Sequence, residues 1–214
     1  MFLKSAAIAL IALLATNLIA KAETIPVLVP ITGFLSLEGT SQRNGAVMAI
    51  ERFGKPFDFK TEVTDTGTSP EGAVTALRRA LEDRPSAAIA SMLGTQMLAM
   101  LPIAGRAGVP LLTVSGTAKI TEIGIPWVFR FFPGDSVVKV AQARYAIEEL
   151  GARRPALLYQ TTAYGQSGAE HLRRIMKEFN APLVFEEAID ISVKDMLPAL
   201  IRLQEAKPDL ILLH

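Results

Sequence analysis

The 214-residue chain is 50% hydrophobic and 7% aromatic, with 22 Lys and Arg against 21 Asp and Glu. That apolar content suffices for one sizeable core or two small ones and excludes a disordered or fibrous chain. Charges of both signs are evenly mixed with no long run of either, so the chain lacks the electrostatic footprint of a nucleic-acid partner.

Residues 1 to 22 differ in kind from the rest of the chain. Lys4 supplies a positive start, Ala6 to Ala15 an apolar run, and Ala20-Lys21-Ala22 an A-x-A site before Glu23. This is the three-part pattern of a secretory signal peptide. The alternative is an uncleaved membrane anchor, but Thr16 and Asn17 interrupt the run short of the ~20 apolar residues a spanning helix needs. Cleavage removes Lys4 and Lys21 and moves the formal net charge from +1 to −1. Without cysteine there is neither a disulfide framework nor a lipid-modified tether. The expectation is a soluble product exported to the periplasm.

Thr24 to Ile31 is almost wholly apolar and reads as a first strand buried on both faces, as parallel strands usually are. After a loop from Thr32 to Thr40, Ser41 precedes a run with Ala46, Val47, Ala49, Ile50 and Phe53 that predicts an amphipathic helix ending near Gly54. Phe57 to Val63 alternates as a second strand. The turn residues from Asp65 to Gly72 lead into a helix over Ala73 to Asp83, with Val74, Leu77 and Leu81 on one face. Ser86 to Met92 is the third strand, Met97 to Ala107 a helix, and Val109 to Val114 the fourth strand. This alternation predicts βαβ units around a parallel sheet.

Trp127 to Phe132, which stops at Pro133-Gly134, reads either as the crossing between two lobes or as an edge strand of one continuous domain. The alternation then restarts: a helix from Ser136 to Leu150, a strand from Pro155 to Gln160, a helix from Ser167 to Phe179, a strand from Leu183 to Ile189, a helix from Lys194 to Ala206 and a strand from Pro208 to Leu213. Three strand entries share a basic residue followed by proline: Arg84-Pro85, Arg154-Pro155 and Lys207-Pro208. Proline is tolerated at the first residue of a strand. The domain reading is a signal peptide over 1–22, a first lobe over 23–130, and a hinge crossing with an incomplete second lobe over 131–214. A doubly wound sheet calls for covering helices on both faces, so the second lobe is expected to be truncated, and ligand binding by this chain on its own to be weak or absent.

Phosphate-cradling G-x-G-x-x-G and G-x-x-x-x-G-K-[ST] patterns are missing, so no nucleotide cofactor is expected. His171 stands beside Arg173 and Arg174 in a predicted helix and reads as a solvated surface residue, and no cluster has metal-ligand spacing. Gly165-Gln166-Ser167-Gly168 lacks the glycine arrangement of a nucleophile elbow, and no acid-then-histidine order follows. An exported hydrolase would need a nucleophile and base that the sequence does not offer.

The remaining polar groups gather at strand ends: Gly94, Thr95 and Gln96 after the third strand, Ser115, Gly116 and Thr117 after the fourth, Tyr164 and Gly165 in the second half. Ligands of open α/β sheets bind in the crevice beyond the carboxyl ends of the strands. Hydroxyls and free N–H groups at helix starts can hold a carboxylate. The same residues also make ordinary turns and caps.

Taken in order, the opening strand with its Thr32-Gly33 loop, Gly45-Ala46, G-V-P-L-L-T-V-S-G-T, F-R-F-F-P-G-D and A-Y-G resemble the substrate-binding proteins of ATP-driven amino-acid importers, in particular the leucine/isoleucine/valine-binding group, over residues 24 to 214. The resemblance implies the type I periplasmic-binding-protein fold, an α/β architecture of two Rossmann-like parallel-sheet lobes joined by a hinge and closing on a ligand. It implies a small amino acid or related carboxylate as ligand, a membrane permease as partner, and no enzymatic step. Gly94, Thr95, Ser115 and Thr117 are then the first-lobe grip on the ligand's carboxylate and amino group, and Tyr164 packs on it from the second lobe. The family usually has a hydroxyl where Gly94 stands, so Thr95 or backbone N–H groups would substitute. Glu38 falls where these binders often place an aromatic, and either meets a positive group of the ligand or is a solvated loop charge. The family's acidic partner for the ligand ammonium lies beyond position 214. A ligand-sensing module on the same fold is the alternative function.

Overall fold

Val27, Leu28 and Val29 are wholly buried because the strand they belong to, β1 (Thr24–Val29), has parallel neighbours on both sides. The computed structural model describes residues 23–214, so the expected signal peptide lies outside the described residues. β1 belongs to a five-stranded sheet with β2 (Lys60–Asp65), β3 (Ala88–Ile89), β4 (Leu111–Thr113) and β5 (Val128–Arg130), in the order β2-β1-β3-β4-β5. Every pairing in it is parallel. The connections carry α1 (Ser36–Phe53), α2 (Pro70–Glu82) and α3 (Gly94–Ala107).

A second unit begins with α4 (Asp135–Arg144), extended by a π turn over Tyr145–Glu149. It continues with β6 (Pro155–Gln160), α5 (Ala163–Glu178), β7 (Phe185–Ile189), α6 (Leu197–Glu205) and β8 (Leu210–Leu213). Its three strands run parallel in the order β7-β6-β8. The two-lobed α/β architecture is therefore as the sequence predicts. The segment read as crossing or edge strand contains a short strand. Val128–Arg130 pairs with β4 as the sheet's edge, and the chain then runs through Phe131 to Gly134 into α4.

Each lobe has its own core. In the first, Leu28, Leu77, Met97, Met100, Leu101, Leu111 and Ile120 close the space between the sheet, α2 and α3. In the second, Leu157, Leu172, Ile175, Met176 and Leu212 do the same for β6, β8 and α5. Each such side chain contributes about 1.5–3 kcal/mol when fully buried. Burial on α1 is different: Gly39 is its one buried residue, and Leu37, Met48 and Phe53 are exposed. The amphipathic pattern expected over Ala46 to Phe53 thus seals no core.

Several boundaries move from their predicted places for identifiable reasons. α5 starts at Ala163, ahead of Ser167, because the Thr162 hydroxyl caps it by accepting the Gly165 N–H at 3.1 Å. Ser69 does the same for α2, accepting from Gly72 at 3.0 Å. β3 is cut to two residues because the Gln42 side chain takes over the next backbone groups. It donates to the Ala90 carbonyl at 2.8 Å and accepts the Met92 N–H at 3.1 Å. α1 starts at Ser36, earlier than predicted, which removes Glu38 from the first loop. Pro155 opens β6, whereas Pro85 and Pro208 stand in the connections before β3 and β8.

Candidate functional site

The carboxyl ends of β1, β3, β4 and β6 converge where the lobes meet, the place at which open α/β sheets hold ligands. There Leu35, Met92, Leu93, Val114, Gly116 and Phe132 of the first half face Gln160 and Tyr164 of the second across a cavity of about 280 Å3. That is near the lower bound of about 300 Å3 for small-molecule pockets, and its walls are mostly apolar.

The loop that brings Leu35 to this cleft is held by Asp65, at the end of β2. Its carboxylate accepts from the Ile31 and Thr32 N–H groups, the Thr32 hydroxyl and the Gly67 N–H. Partial burial raises its pKa, but these four hydrogen bonds outweigh that and hold it below the ordinary 3.8. A carboxyl with a lowered native pKa stabilises the fold above its unfolded pKa and loses that contribution as pH falls through the native value. Asp65→Asn is therefore expected to lower the urea midpoint at neutral pH, with the gap to wild type closing as pH drops below about 3.8. A urea series across pH 7 to 2 measures this.

Among the site residues read from sequence, Tyr164 is brought against the Ser115-Gly116-Thr117 turn. A Cβ on Gly116 would lie 2.9 Å from Tyr164 Cε2, so only glycine leaves room for the ring. Ser115 and Thr117 are buried on either side, and Ser115 Oγ and Thr117 Oγ1 have no hydrogen-bond partner. Gly94 starts α3 beside them. A Cβ there would lie 1.9 Å from Thr117 Oγ1, which explains why a side-chain hydroxyl is lacking at this position: Thr117 fills the space. Thr95 is half-buried in the first turn of α3, and neither it nor Gly94, Ser115 or Thr117 lines the cleft directly; Thr117 borders a second cavity of about 540 Å3 with Ala118, Ser167 and His171.

Glu38 corrects the sequence reading of this position as part of the first loop. It is exposed in the first turn of α1 and lines a groove of about 730 Å3 between α1 and the sheet, with Leu37, Ala46 and Leu112 among its neighbours; this groove adjoins the cleft, since Met92 and Val114 line both.

Sequence reasoning missed the residues that join the lobes. The Asp135 N–H donates to the Gly116 carbonyl at 2.8 Å, and the Ala118 N–H donates to Ser167 Oγ at 3.0 Å. Asp135 and Lys139 are almost fully buried, as is the His214 imidazole, whose Nε2 lies 3.8 Å from Asp135 Oδ1. Burial disfavours charge on each. It raises the Asp135 pKa against the opposing influence of Ser167, Lys139, His171 and Arg130, and lowers that of Lys139. His214 falls to about 4, through burial and then the Lys139 charge, opposed by its bond to Tyr164. Asp135 lies within the F-R-F-F-P-G-D motif, so its position carries a signal. His214 carries none, because its contacts come from residues as far back as Tyr164, 50 positions earlier. His171 is half-exposed, 3.4 Å from the Arg174 guanidinium.

Among the described residues no group of three acidic, histidine or cysteine side chains could hold a metal ion, and no helix is long and apolar enough to cross a membrane.

A family model described as "Periplasmic binding protein" matches residues 23–214. The chain is 23% identical over 183 residues to the "Leucine-, isoleucine-, valine-, threonine-, and alanine-binding protein" of Pseudomonas aeruginosa, a match covering 83% of this chain and 49% of that protein. Its fold is similar to that of a leucine binding protein, LivK, from Thermotoga maritima, with TM-score 0.81 and 24% identity over 89% of this chain and 55% of that one. It is also similar to a solute binding protein of R. palustris solved in complex with benzoate, with TM-score 0.82 and 18% identity over 91% and 55% of the two chains. The chain thus spans about half the length of these relatives. With two parallel-sheet lobes meeting at their strand ends and a family match over nearly all of the described residues, the chain belongs to the periplasmic binding protein family and has its type I fold.

Proposed function

We propose that the protein captures a small carboxylate with an apolar body, an amino acid of the leucine, isoleucine and valine kind or an aromatic acid, in the cleft between its lobes. It acts by binding and lobe closure, without chemistry on the ligand, and passes the ligand to the membrane permease of an ABC importer. Export by the N-terminal signal sequence places it in the periplasm. The observation that carries this reading is the apolar cavity between the lobes, which Gly116 lines; the residues on either side of Gly116, Ser115 and Thr117, carry buried hydroxyls without partners just behind that wall. A buried hydroxyl without a partner costs about 1–3 kcal/mol, which a bound carboxylate removes. The walls formed by Leu35, Met92, Leu93, Val114 and Phe132 suit an aliphatic or aromatic body. The Pseudomonas relative is named for leucine, isoleucine, valine, threonine and alanine and the R. palustris neighbour was solved in complex with benzoate, so both ligand classes are included.

Titration with L-leucine, L-isoleucine, L-valine and benzoate up to millimolar concentration, followed by two-dimensional amide NMR, tests the proposal. The expected result is saturable shifts for at least one ligand at Gly94, Gly116 and Tyr164. Shifts absent for every ligand, or confined to the α1 groove around Glu38, overturn it.

A further inference from the structure

The second-lobe wall of the cleft depends on Tyr164, and Tyr164 is held by residues that do not line the cavity with it. The His214 imidazole packs on the Tyr164 ring with centroids 4.1 Å apart and planes inclined by 48°. Its Nε2 lies 3.0 Å from the Tyr164 carbonyl oxygen, which can only accept, so Nε2 carries the proton and donates. The backbone of His214 is fixed as well: its N–H donates to Leu158 and its carbonyl accepts from Gln160, extending the β8 to β6 pairing. α5 is notched to receive the ring, since a Cβ on Gly168 would lie 1.8 Å from His214 Nε2. On the far side Asp135 Oδ1 approaches the same Nε2 at 3.8 Å, while the Asp135 N–H is tied to Gly116.

We propose that His214 and Asp135 are positioning residues for the ligand cleft: together they press Tyr164 against Gly116 and so couple the second-lobe wall to the first-lobe turn. This rests on the reading of that cleft as the ligand site. The neutral imidazole is the working form. The titratable and charged groups facing it are Asp135 and Lys139 from α4 and the Tyr164 phenol from α5, with Arg130 of β5 and His171 of α5 acting on Asp135. When His214 gains its second proton, near pH 4, a buried cation forms beside Lys139 and the seat of Tyr164 is disturbed.

The test has a ligand-free arm and a binding arm. Aromatic 13C NMR of the full chain, which has three tyrosines, follows the Tyr164 ring. In the wild type its shift is expected to titrate with a midpoint near 4, and in His214→Gln, whose amide can still donate to the Tyr164 carbonyl, to stay native-like without that titration. His214→Ala is expected to move the ring signal at neutral pH. Affinity for L-leucine or benzoate, whichever the wild type binds, should fall about tenfold in His214→Ala and recover in His214→Gln. A Tyr164 signal unchanged in His214→Ala, or a His214→Gln affinity no better than that of alanine, overturns the assignment. Absence of wild-type binding with the ring response intact sinks the cleft as ligand site, not the positioning of Tyr164.

Discussion

Ser115→Ala combined with Thr117→Val is expected to lower ligand affinity by about a hundredfold or more while leaving the protein at least as stable as before. Each hydrogen bond to a charged group contributes about 1.5–3 kcal/mol net, so two sum to roughly 3–6 kcal/mol. At 1.4 kcal/mol per decade that is about two to four decades in Kd. The stability side has the opposite sign to most core substitutions. Both hydroxyl oxygens are buried without partners in the protein, so their removal relieves a desolvation cost, and valine keeps the shape of threonine. Binding titrations together with thermal melts check both halves. Unchanged affinity would detach these hydroxyls from the ligand. A lowered melting temperature would mean that they have structural partners after all.

The same two hydroxyls show how far sequence alone reaches. A Ser-Gly-Thr turn after an apolar strand is readable as a candidate site because strand ends of parallel sheets are where ligands sit. That the hydroxyls lack partners is not readable, since it depends on Thr117 lying against Gly94 and on Tyr164 crossing Gly116. β6 is legible to its observed limits, Pro155–Gln160, because proline opens it and the strand is buried on both sides. β3 is overextended in the sequence reading because the side chain that terminates it, Gln42, sits 48 residues upstream of its Ala90 partner. Glu38 falls to a loop in that reading because α1 has no side-chain cap at its start to mark the boundary. Local chemistry therefore sets the order of strands and helices, whereas contacts between distant residues decide which polar groups share a space.

Gly39→Ala is expected to destabilise the first lobe by about 3 kcal/mol, the upper part of the range for overpacking. Against this stands the gain of about 1 kcal/mol that alanine ordinarily brings over glycine inside a helix. The steric term dominates because the new Cβ would lie 1.9 Å from the Pro30 carbonyl oxygen and 2.5 Å from its carbon. Backbone atoms cannot rotate away as a side-chain tip can, so β1 and α1 must separate. Gly45, on the same helix, supplies the control: nothing lies within 4 Å of a Cβ there, and Gly45→Ala should raise stability by about 1 kcal/mol. Opposite shifts of the urea midpoint in the two variants are the expected result, and a stabilising Gly39→Ala would show that the junction yields. Gly165 occupies the matching place in the second lobe, in the first turn of α5, where a Cβ would lie 2.0 Å from the Gln160 carbonyl oxygen. Both lobes thus use a glycine to bring a helix start down onto the end of their first strand. Those two junctions set where Leu35 and Tyr164 enter the cleft from opposite sides. Gly165→Ala should accordingly weaken ligand binding by displacing Tyr164, its immediate neighbour, even in the fraction of molecules that stays folded.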